Sequence, residues 1–266
     1  MDAERPLIMV SNDDGIASPG LQALVAALYP LGDIAVVAPR SPFSSAGRSF
    51  IWGSREIDRY PWPLEGVVAY AVDAAPALTV RIGLSVLLPR QPTLMVSGIN
   101  YGENLGTDVT LSGTVGAAIE AAVAGVFSLA ISLEAPPEYH DNPRPGPNFG
   151  VAAAFAYRLA RRVLAGGVPE GVDLLNVNVP AAASPDTPWR LTRVSRQPYW
   201  CTIVKEGPDG TRQLAGYERR RDLDGLEPDS DIYTFLCAGA ISISPLTVDL
   251  SVPQAVDYMR PVLEKL

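Results

Sequence analysis

The segment LIMVSNDDG places two adjacent aspartates, Asp13 and Asp14, directly after a short apolar run. One aspartate would suffice for an Asx turn at the start of the following helix. Two neighbouring carboxylates repel each other unless a cation lies near both of them. The pair therefore favours a metal site over a structural turn, and carboxylate oxygens select a hard divalent cation.

The composition disfavours several other kinds of metal or catalytic site. The chain has one histidine, His140, in a proline-rich stretch predicted as an exposed loop, and two cysteines, Cys201 and Cys237, without C-x-x-C spacing. Histidine-based triads and zinc sites are therefore disfavoured, while one disulfide is left open. The net charge of −8 also disfavours general binding of nucleic acid, because an acidic surface repels phosphate groups.

A second polar segment, SGINYGENLGTDVTLSGTVGAA, follows another apolar run and leads into a helical pattern. Asn100 and Asn104 provide amide groups, and the intervening glycines let the backbone approach a ligand closely. Ser112, Gly113 and Thr114 lie at the predicted start of the helix, where free N–H groups and the helix dipole favour an anion. Ser112 alone would be explained as an N-cap, but its combination with two asparagines indicates a binding site.

The segment PRSPFSSAGRS is a third candidate because it follows the second predicted strand, beside the end of the first. Polar loops of this kind are common, and Arg40 and Arg48 are more commonly explained by solvation than by contact with an anionic substrate. Tyr101, Tyr199 and Trp200 are candidates for stacking on a base, with packing in a core or subunit interface as the favoured alternative.

Short apolar runs alternate with helical patterns through the first two thirds of the chain. The runs that predict strands cover residues 7–11, 34–39, 67–72, 93–99, 128–133 and 174–180. Helices are predicted from Ser18 and Pro19 onwards, and at about 76–88, 114–125 and 149–164. Continuous apolar strands separated by helices indicate a parallel sheet covered on both faces. Ligands of such sheets bind beyond the carboxyl ends of the strands, where all three polar segments lie.

After Pro180 the pattern changes to extended segments. WRLTRVSRQPYW predicts a strand, and CTIVKEGPDGTRQLAGYERR predicts a hairpin that turns at GPDG. Residues 238–251 predict a strand pair or a strand and a turn, and a terminal helix is expected from about residue 252. No apolar run reaches membrane-spanning length and no signal-peptide pattern is visible, so a cytoplasmic protein is expected.

Together these segments resemble the SurE family, the survival-protein-E 5′/3′-nucleotidases. The resemblance is carried by VSNDDGIASPGLQAL, VVAPRSPFSSAGRS, VSGINYGENLGTDVTLSGTVGAAIEAAVAG, LLNVNVP and ISISPLTVDLS, and extends from about residue 7 to residue 250. It implies a Rossmann-like three-layer αβα sandwich with a mostly parallel sheet. It also implies a catalytic core over residues 1–180, completed by a hairpin and tail over residues 181–266 that exchange between subunits of a homodimer or homotetramer.

The resemblance further implies a divalent-metal-dependent phosphomonoesterase that hydrolyses nucleoside 5′- or 3′-monophosphates, with short polyphosphate as a further substrate. One Mg²⁺ or Mn²⁺ ion per subunit, with Ca²⁺ as a substitute in crystals, would be held by Asp13, Asp14, Ser44 and Asn100. The phosphate would be bound by Asn104, Ser112, Gly113 and Thr114. Asp13 and Asp14 are the expected catalytic residues, with Asp13 as a ligand and candidate base, because these loops contain no histidine. Direct attack by the Asp13 carboxylate on phosphorus is the less favoured alternative.

Three features depart from the family pattern. The stretch DAAPALTV stands where the family usually has G-T-P-x-D, the serine loop RSPFSS carries less charge than usual, and Arg48 replaces a smaller polar residue or histidine. Ser45, beside Ser44, leaves the identity of the metal-binding serine open. These departures bear on substrate preference and rate, and leave the expected metal ligands in place.

Two other functions compete with this interpretation. A non-catalytic nucleotide sensor of the same fold would need the anion-binding segment but not both carboxylates. A dinucleotide-dependent dehydrogenase is disfavoured, because no G-x-G-x-x-G follows the first predicted strand. The expected partners are therefore a small phosphate ester and further copies of the chain, with neither a nucleic-acid duplex nor a membrane.

Overall fold

The fold is built on a central sheet flanked by helices. The computed structural model describes residues 5–136, 147–220, 222 and 224–263, so the predicted loop around His140 lies outside the described residues. The strands are β1 (Leu7–Ser11), β2 (Asp33–Pro39), β3 (Ile57–Arg59), β4 (Val68–Val72), β5 (Leu94–Tyr101), β6 (Ser128–Leu133), β7 (Leu174–Val179), β8 (Trp189–Leu191), β9 (Trp200–Glu206), β10 (Arg212–Arg219) and β11 (Ile241–Leu246). The α-helices are α1 (Pro19–Leu28), α2 (Pro76–Ile82), α3 (Gly113–Val123), α4 (Gly150–Gly166), α5 (Asp231–Leu236) and α6 (Pro253–Leu263).

The strand order creates a crevice beside β1. Within the described ranges, a nine-stranded sheet has the order β3–β4–β2–β1–β5–β6–β7–β11–β8. The run from β4 to β7 is parallel, whereas β3 and β11 pair antiparallel with their neighbours β4 and β7. The chain first extends the sheet to one side of β1 through β2 and β4, and then places β5 on the other side. This reversal opens a crevice at the carboxyl ends of β1 and β5, where ligands of such sheets bind.

Helices cover both faces of the sheet, as its continuous apolar strands require. α1 and α4 pack on one face, together with strand residues such as Ile8 and Val10. α2 and α3 cover the other face, where Met9 enters a second apolar cluster. Because side chains alternate across a strand, β1 contributes to both layers of the core. The predicted αβα arrangement is confirmed. Across the described part of the chain, no helix combines the length and apolar character needed to span a lipid bilayer.

β9 and β10 form a two-stranded hairpin outside the main sheet, as predicted. Trp200 lies opposite Arg219, and Thr202 lies opposite Tyr217. Buried side chains at the base of the hairpin form a small apolar cluster that consists of Leu105, Tyr199, Leu226, Ile232 and Phe235. The hairpin is therefore tied to the loop that follows β5, to which Leu105 belongs.

Sequence patterns predicted the region after Pro180 least well, because side-chain hydrogen bonds shape it. Within the segment WRLTRVSRQPYW, Trp189–Leu191 forms β8, and apart from its last residue, Trp200, which begins β9, the rest belongs to no strand of the sheets. The buried Asp231 accepts the N–H of Ser195 at 2.9 Å and the N–H of Gly106 at 3.0 Å, so one carboxylate joins three segments that are distant in sequence. The six-residue helix α5 has no counterpart in the prediction, since it is too short to show helical periodicity.

Candidate metal and phosphate site

Asp13 lies immediately beyond β1 and is only 8% exposed. The hydroxyl of Thr114, at the start of α3, donates to its Oδ1 at 2.5 Å. The carbonyl oxygen of Asp13 accepts the N–H of Phe43, 2.8 Å away in the loop after β2. Asp13 therefore joins three segments that are distant in sequence, and its carboxylate is held in one orientation.

Asp13 and Asp14 form a pair of enclosed carboxylates. Burial raises the pKa of Asp13 to about 6, against the lowering effect of the hydrogen bond from Thr114. Burial also raises the pKa of Asp14 well above its ordinary value, and the neighbouring charge of Asp13 raises it further. Oδ2 of Asp14 is enclosed and accepts no hydrogen bond from the described residues. A divalent cation would offset the repulsion and satisfy this oxygen, so the pair fits a metal site.

α3 approaches Asp13 closely because its first residue is Gly113. A Cβ atom at this position would lie 2.8 Å from both Cβ and Oδ2 of Asp13. Ser112 is the N-cap of the helix, and its Oγ accepts the N–H of Val115 at 3.1 Å. The start of α3, with the positive end of its dipole, therefore lies beside the aspartate pair.

The two asparagines of the loop after β5 use their amide nitrogens within the protein. Nδ2 of Asn100 donates to the carbonyl oxygen of Gly102 at 2.7 Å. Nδ2 of Asn104 donates to Oγ of Ser132 at 2.8 Å. Oδ1 of Asn100 is then the atom suited to a hard cation, whereas Nδ2 of Asn104 has a second hydrogen for an acceptor on a ligand.

Asn176 and Asn178 hold Asn104 in place, although they are absent from the sequence-based candidates. Oδ1 of Asn178 accepts the N–H of Asn104 at 2.7 Å, and Nδ2 of Asn176 donates to the carbonyl oxygen of Asn104 at 2.8 Å. Both asparagines belong to β7, whose sequence LLNVNV places two amides on one face of an otherwise apolar strand. Amides in a buried strand need polar partners, and this pattern is the signal that identifies them.

A cavity of about 330 Å³ at the carboxyl ends of the strands brings most of the predicted site residues together. The predicted residues that line it are Asp13, Asp14, Ser44, Asn100, Asn104, Ser112 and Gly113. Ser45 lines the same cavity, so either of the two serines is placed where it could bind the metal. Thr114 is fully buried and is not among the residues that line the cavity. It is connected to the cavity through its hydrogen bond to Asp13.

The cavity is acidic. Asp13, Asp14, Glu103 and Asp108 contribute carboxylates to its lining, and none of the described lining residues is Lys, Arg or His. Glu103 is balanced by Arg219, whose Nε lies 2.9 Å from its Oε1. No arginine of the described residues pairs with Asp13 or Asp14 in this way, so a phosphate group would be repelled here unless a cation accompanied it.

The two arginines considered as substrate contacts are used elsewhere. Arg40 forms an ion pair with Asp58 on β3. Nε of Arg48 lies 2.8 Å from Oε2 of Glu120, a buried residue of α3 that also pairs with Arg81 at 2.6 Å. The departure from the family pattern at Arg48 therefore concerns the packing of α3 rather than the lining of the cavity.

The candidate aromatic residues divide between the core and the cavity. Tyr101 is buried, lines the cavity and packs edge-on against Phe149, with ring centroids 5.1 Å apart. Tyr199 is fully buried, and its hydroxyl donates to Glu103 at 2.6 Å. Trp200 lines the cavity. Core packing thus accounts for Tyr199, whereas Trp200 is placed where a ligand would contact it.

The donor set restricts the kind of metal that the site would take. Among the residues that the structure describes, no group of three or more His, Cys, Asp or Glu side chains is placed to bind a metal. A cation between Asp13 and Asp14 would therefore need neutral oxygens in addition, and Ser44 and Asn100 line the same cavity. Such a set suits Mg²⁺ or Mn²⁺ and disfavours zinc, which prefers nitrogen and sulphur ligands.

Known proteins share both the sequence and the fold of this chain. The profile of the family described as survival protein SurE matches residues 8–200. A 5′-nucleotidase SurE of Methanocella arvoryzae is 39% identical over 259 residues, which cover 95% of this chain and 96% of the relative. The 5′-nucleotidase SurE of Thermococcus kodakarensis is 39% identical over 257 residues, which cover 96% of this chain and 98% of the relative. The crystal structure of the SurE protein from Aquifex aeolicus matches this structure with a TM-score of 0.80 and 29% sequence identity. The match covers 97% of this chain and 99% of the Aquifex chain. These matches confirm the resemblance seen in the sequence motifs: the chain belongs to the survival protein SurE family.

Proposed function

We propose that the chain is a metal-dependent nucleotidase that releases phosphate from nucleoside 5′- or 3′-monophosphates. The observation that carries the proposal is the acidic cavity around Asp13 and Asp14, which would repel a phosphate group unless a cation accompanied it. The relatives named 5′-nucleotidase SurE support the substrate class. Short polyphosphate is a further proposed substrate, because the same groups would bind its terminal phosphate.

One Mg²⁺ or Mn²⁺ ion per subunit would be held by Asp13, Asp14, Ser44 and Asn100. The enclosed carboxylates supply the negative charge, and the hydroxyl and amide oxygens complete a set of hard donors. When bound, the ion would polarise a phosphoryl oxygen and favour ionisation of a water molecule.

The groups of the chain itself bind and orient the phosphate. Ser112 and Gly113 line the cavity at the start of α3, where N–H groups and the helix dipole stabilise the negative charge that shifts in the transition state. Asn104, held by β7, donates a hydrogen bond from Nδ2 to a further phosphate oxygen. Asp13 accepts the proton of the attacking water, while Thr114 keeps its carboxylate oriented for that transfer.

A homodimer or homotetramer in the cytoplasm is part of the same proposal. Residues 1–180 would form the catalytic core, and residues 181–266 would complete it and exchange between subunits. Exposed apolar side chains of α6 support a contact with another subunit, namely Tyr258, Met259, Val262 and Leu263. β11 pairs with β7, so this part of the second segment belongs to the sheet of the core.

The test is a phosphate-release screen across nucleoside 5′- and 3′-monophosphates, polyphosphate and an aryl phosphate. Each substrate is assayed with EDTA and again after Mg²⁺, Mn²⁺ or Ca²⁺ is restored. Release from nucleotides should stop in EDTA and return with Mg²⁺ or Mn²⁺. Binding of nucleotides without release under every metal would contradict the proposal and favour the nucleotide sensor.

A further inference from the structure

One face of the hairpin β9–β10 presents aromatic side chains to the cavity. Trp200, Thr202 and Tyr217 all line the cavity. Trp200 and Thr202 are two positions apart on β9, and Tyr217 lies directly opposite Thr202 on β10. Because side chains alternate across a strand, the three share one face of the hairpin. The rings of Trp200 and Tyr217 are 5.2 Å apart and inclined at 76°, an edge-to-face contact that fixes their relative orientation.

The base of the hairpin is anchored to the loop that carries the proposed phosphate ligands. The backbone N–H groups of Tyr199 and Trp200 both donate to Oδ2 of Asp108 at 2.8 Å. The hydroxyl of Tyr199 donates to the buried Glu103, and Arg219 on β10 forms an ion pair with the same carboxylate. Since Glu103 and Asp108 belong to the loop between β5 and α3, these bonds hold the aromatic face at a set position relative to that loop.

We infer that this face, formed by Trp200, Thr202 and Tyr217, is the subsite for the base of the nucleotide. The inference rests on the proposed function, and it assigns to these residues the preference for a nucleotide over a simpler phosphate ester. A base is flat and uncharged, so it stacks on aromatic rings without the repulsion that the carboxylates exert on an anion. The hydroxyl of Thr202 donates or accepts a hydrogen bond at the edge of the base.

The subsite also predicts a preference among bases. Stacking strengthens with the area of overlap, so a purine gains more than a pyrimidine from the same aromatic face. Purine nucleoside monophosphates should therefore be hydrolysed with a higher kcat/KM than pyrimidine ones, and Trp200→Ala should reduce this difference.

The decisive comparison is between AMP and ribose 5-phosphate, which carries the same phosphate ester without a base. Trp200→Ala should lower the ratio of kcat/KM for AMP to kcat/KM for ribose 5-phosphate by about tenfold, the effect typical of one stacking aromatic. Trp200→Phe should keep most of the ratio, because an aromatic face remains. Trp189→Ala is the matched control, since Trp189 on β8 is 56% exposed and is not among the residues that line the cavity.

Calorimetric binding of adenosine in EDTA provides a readout that does not depend on turnover. Wild-type protein should bind adenosine about tenfold more tightly than Trp200→Ala, with thermal unfolding used to verify that the variant is folded. If Trp200→Ala changes neither the substrate ratio nor the adenosine affinity while the wild type releases phosphate from AMP, the subsite is refuted and the nucleotidase proposal stands. If the wild type releases phosphate from no nucleotide, the proposed function fails, and the adenosine affinities alone then support or refute the subsite.

Discussion

The hydroxyl of Thr114 donates a 2.5 Å hydrogen bond to Oδ1 of Asp13, although the two residues are 101 positions apart in the chain. The bond joins the start of α3 to the end of β1 across the crevice of the sheet. Thr114 is fully buried, so it contacts the site only through Asp13. Within the proposed mechanism Thr114 is therefore a positioning residue, and its role is separable from that of the groups that line the cavity.

Replacing Thr114 by Val keeps the shape of the side chain and removes the hydrogen bond to Asp13. A hydrogen bond to a charged group contributes about 1.5–3 kcal/mol, so kcat/KM for AMP should fall by roughly 10- to 100-fold. Steady-state kinetics measure the loss, and circular dichroism verifies the fold. Thr114→Ser, which keeps the hydroxyl, should retain most of the activity. Wild-type turnover by the Val variant would refute the positioning role.

Asp13→Asn and Asp14→Asn should nearly abolish phosphate release and leave the fold intact. Each substitution removes one of the two charges proposed to hold the cation. Titration with Mn²⁺ in a calorimeter should show weakened binding in both variants, independently of turnover. A folded variant that still releases phosphate at the wild-type rate would be incompatible with the metal site.

The same carboxylates predict how the stability of the metal-free protein depends on pH. Burial raises their pKa values in the folded state above the ordinary value of 3.8, so these groups stabilise the fold at low pH. For Asp13 that contribution is lost progressively as the pH rises from 3.8 through about 6, and the raised pKa of Asp14 adds a loss in the same direction. In EDTA, Asp13→Asn should therefore raise Tm relative to the wild type more at pH 8 than at pH 5, because only part of the contribution is lost at pH 5. An equal effect at both pH values would contradict the raised pKa of Asp13 in the folded protein.

Gly113→Ala tests the close approach of α3 to Asp13. The added Cβ would lie 2.8 Å from Oδ2 of Asp13, so the carboxylate or the helix must move. We expect kcat/KM to fall by at least about tenfold, because small displacements of catalytic groups are costly. Gly166→Ala, at the end of α4 with no atom within 4 Å of the added Cβ, is the control and should behave like the wild type. Equal kinetics for both variants would show that activity does not depend on the close approach of α3 to Asp13.

Arg48→Ala should affect stability rather than substrate binding. Glu120 would keep its ion pair with Arg81 but lose the one with Arg48, which is partly exposed. A loss of about 1 kcal/mol in the free energy of unfolding is expected, with KM for AMP nearly unchanged. Arg212→Ala, which breaks the exposed pair with Glu206, is the control and should cost less. A large rise in KM at unchanged stability would place Arg48 at the substrate instead.

Removing residues 252–266 tests the proposed role of the tail in assembly. The exposed apolar side chains of α6 suit contact with a second subunit, so the shortened chain should have a lower mass by light scattering. Deleting everything after Pro180 is a poorer test, because it also removes β11 and exposes the edge of β7. An unchanged oligomer would count against exchange of the tail.

Local sequence patterns predicted the elements that depend on local interactions. The strand at residues 7–11 and the helix that begins after Ser18 were correct because a buried apolar run and an N-cap each act within a few residues. The helix predicted at about residues 76–88 is present, but its second part differs in type: α2 ends at Ile82 and a π-helical turn follows at Gly83–Leu87. Helical periodicity continues through such a turn, so the pattern does not reveal where the α-helix ends.

The sequence by itself determined the alternation of strands and helices, the acidic character of the chain, and the oxygen-rich loops that suit a hard cation. Only the tertiary structure decided that β5 lies beside β1, which brings Asn100, Ser112 and Gly113 into the cavity of Asp13. It also decided that Arg48 pairs with Glu120, and that the hairpin carries Trp200 into the same cavity. The physical reason is that propensity and apolar periodicity act over a few residues. The pairing of strands and the burial of charges depend instead on which distant segments exclude water from each other.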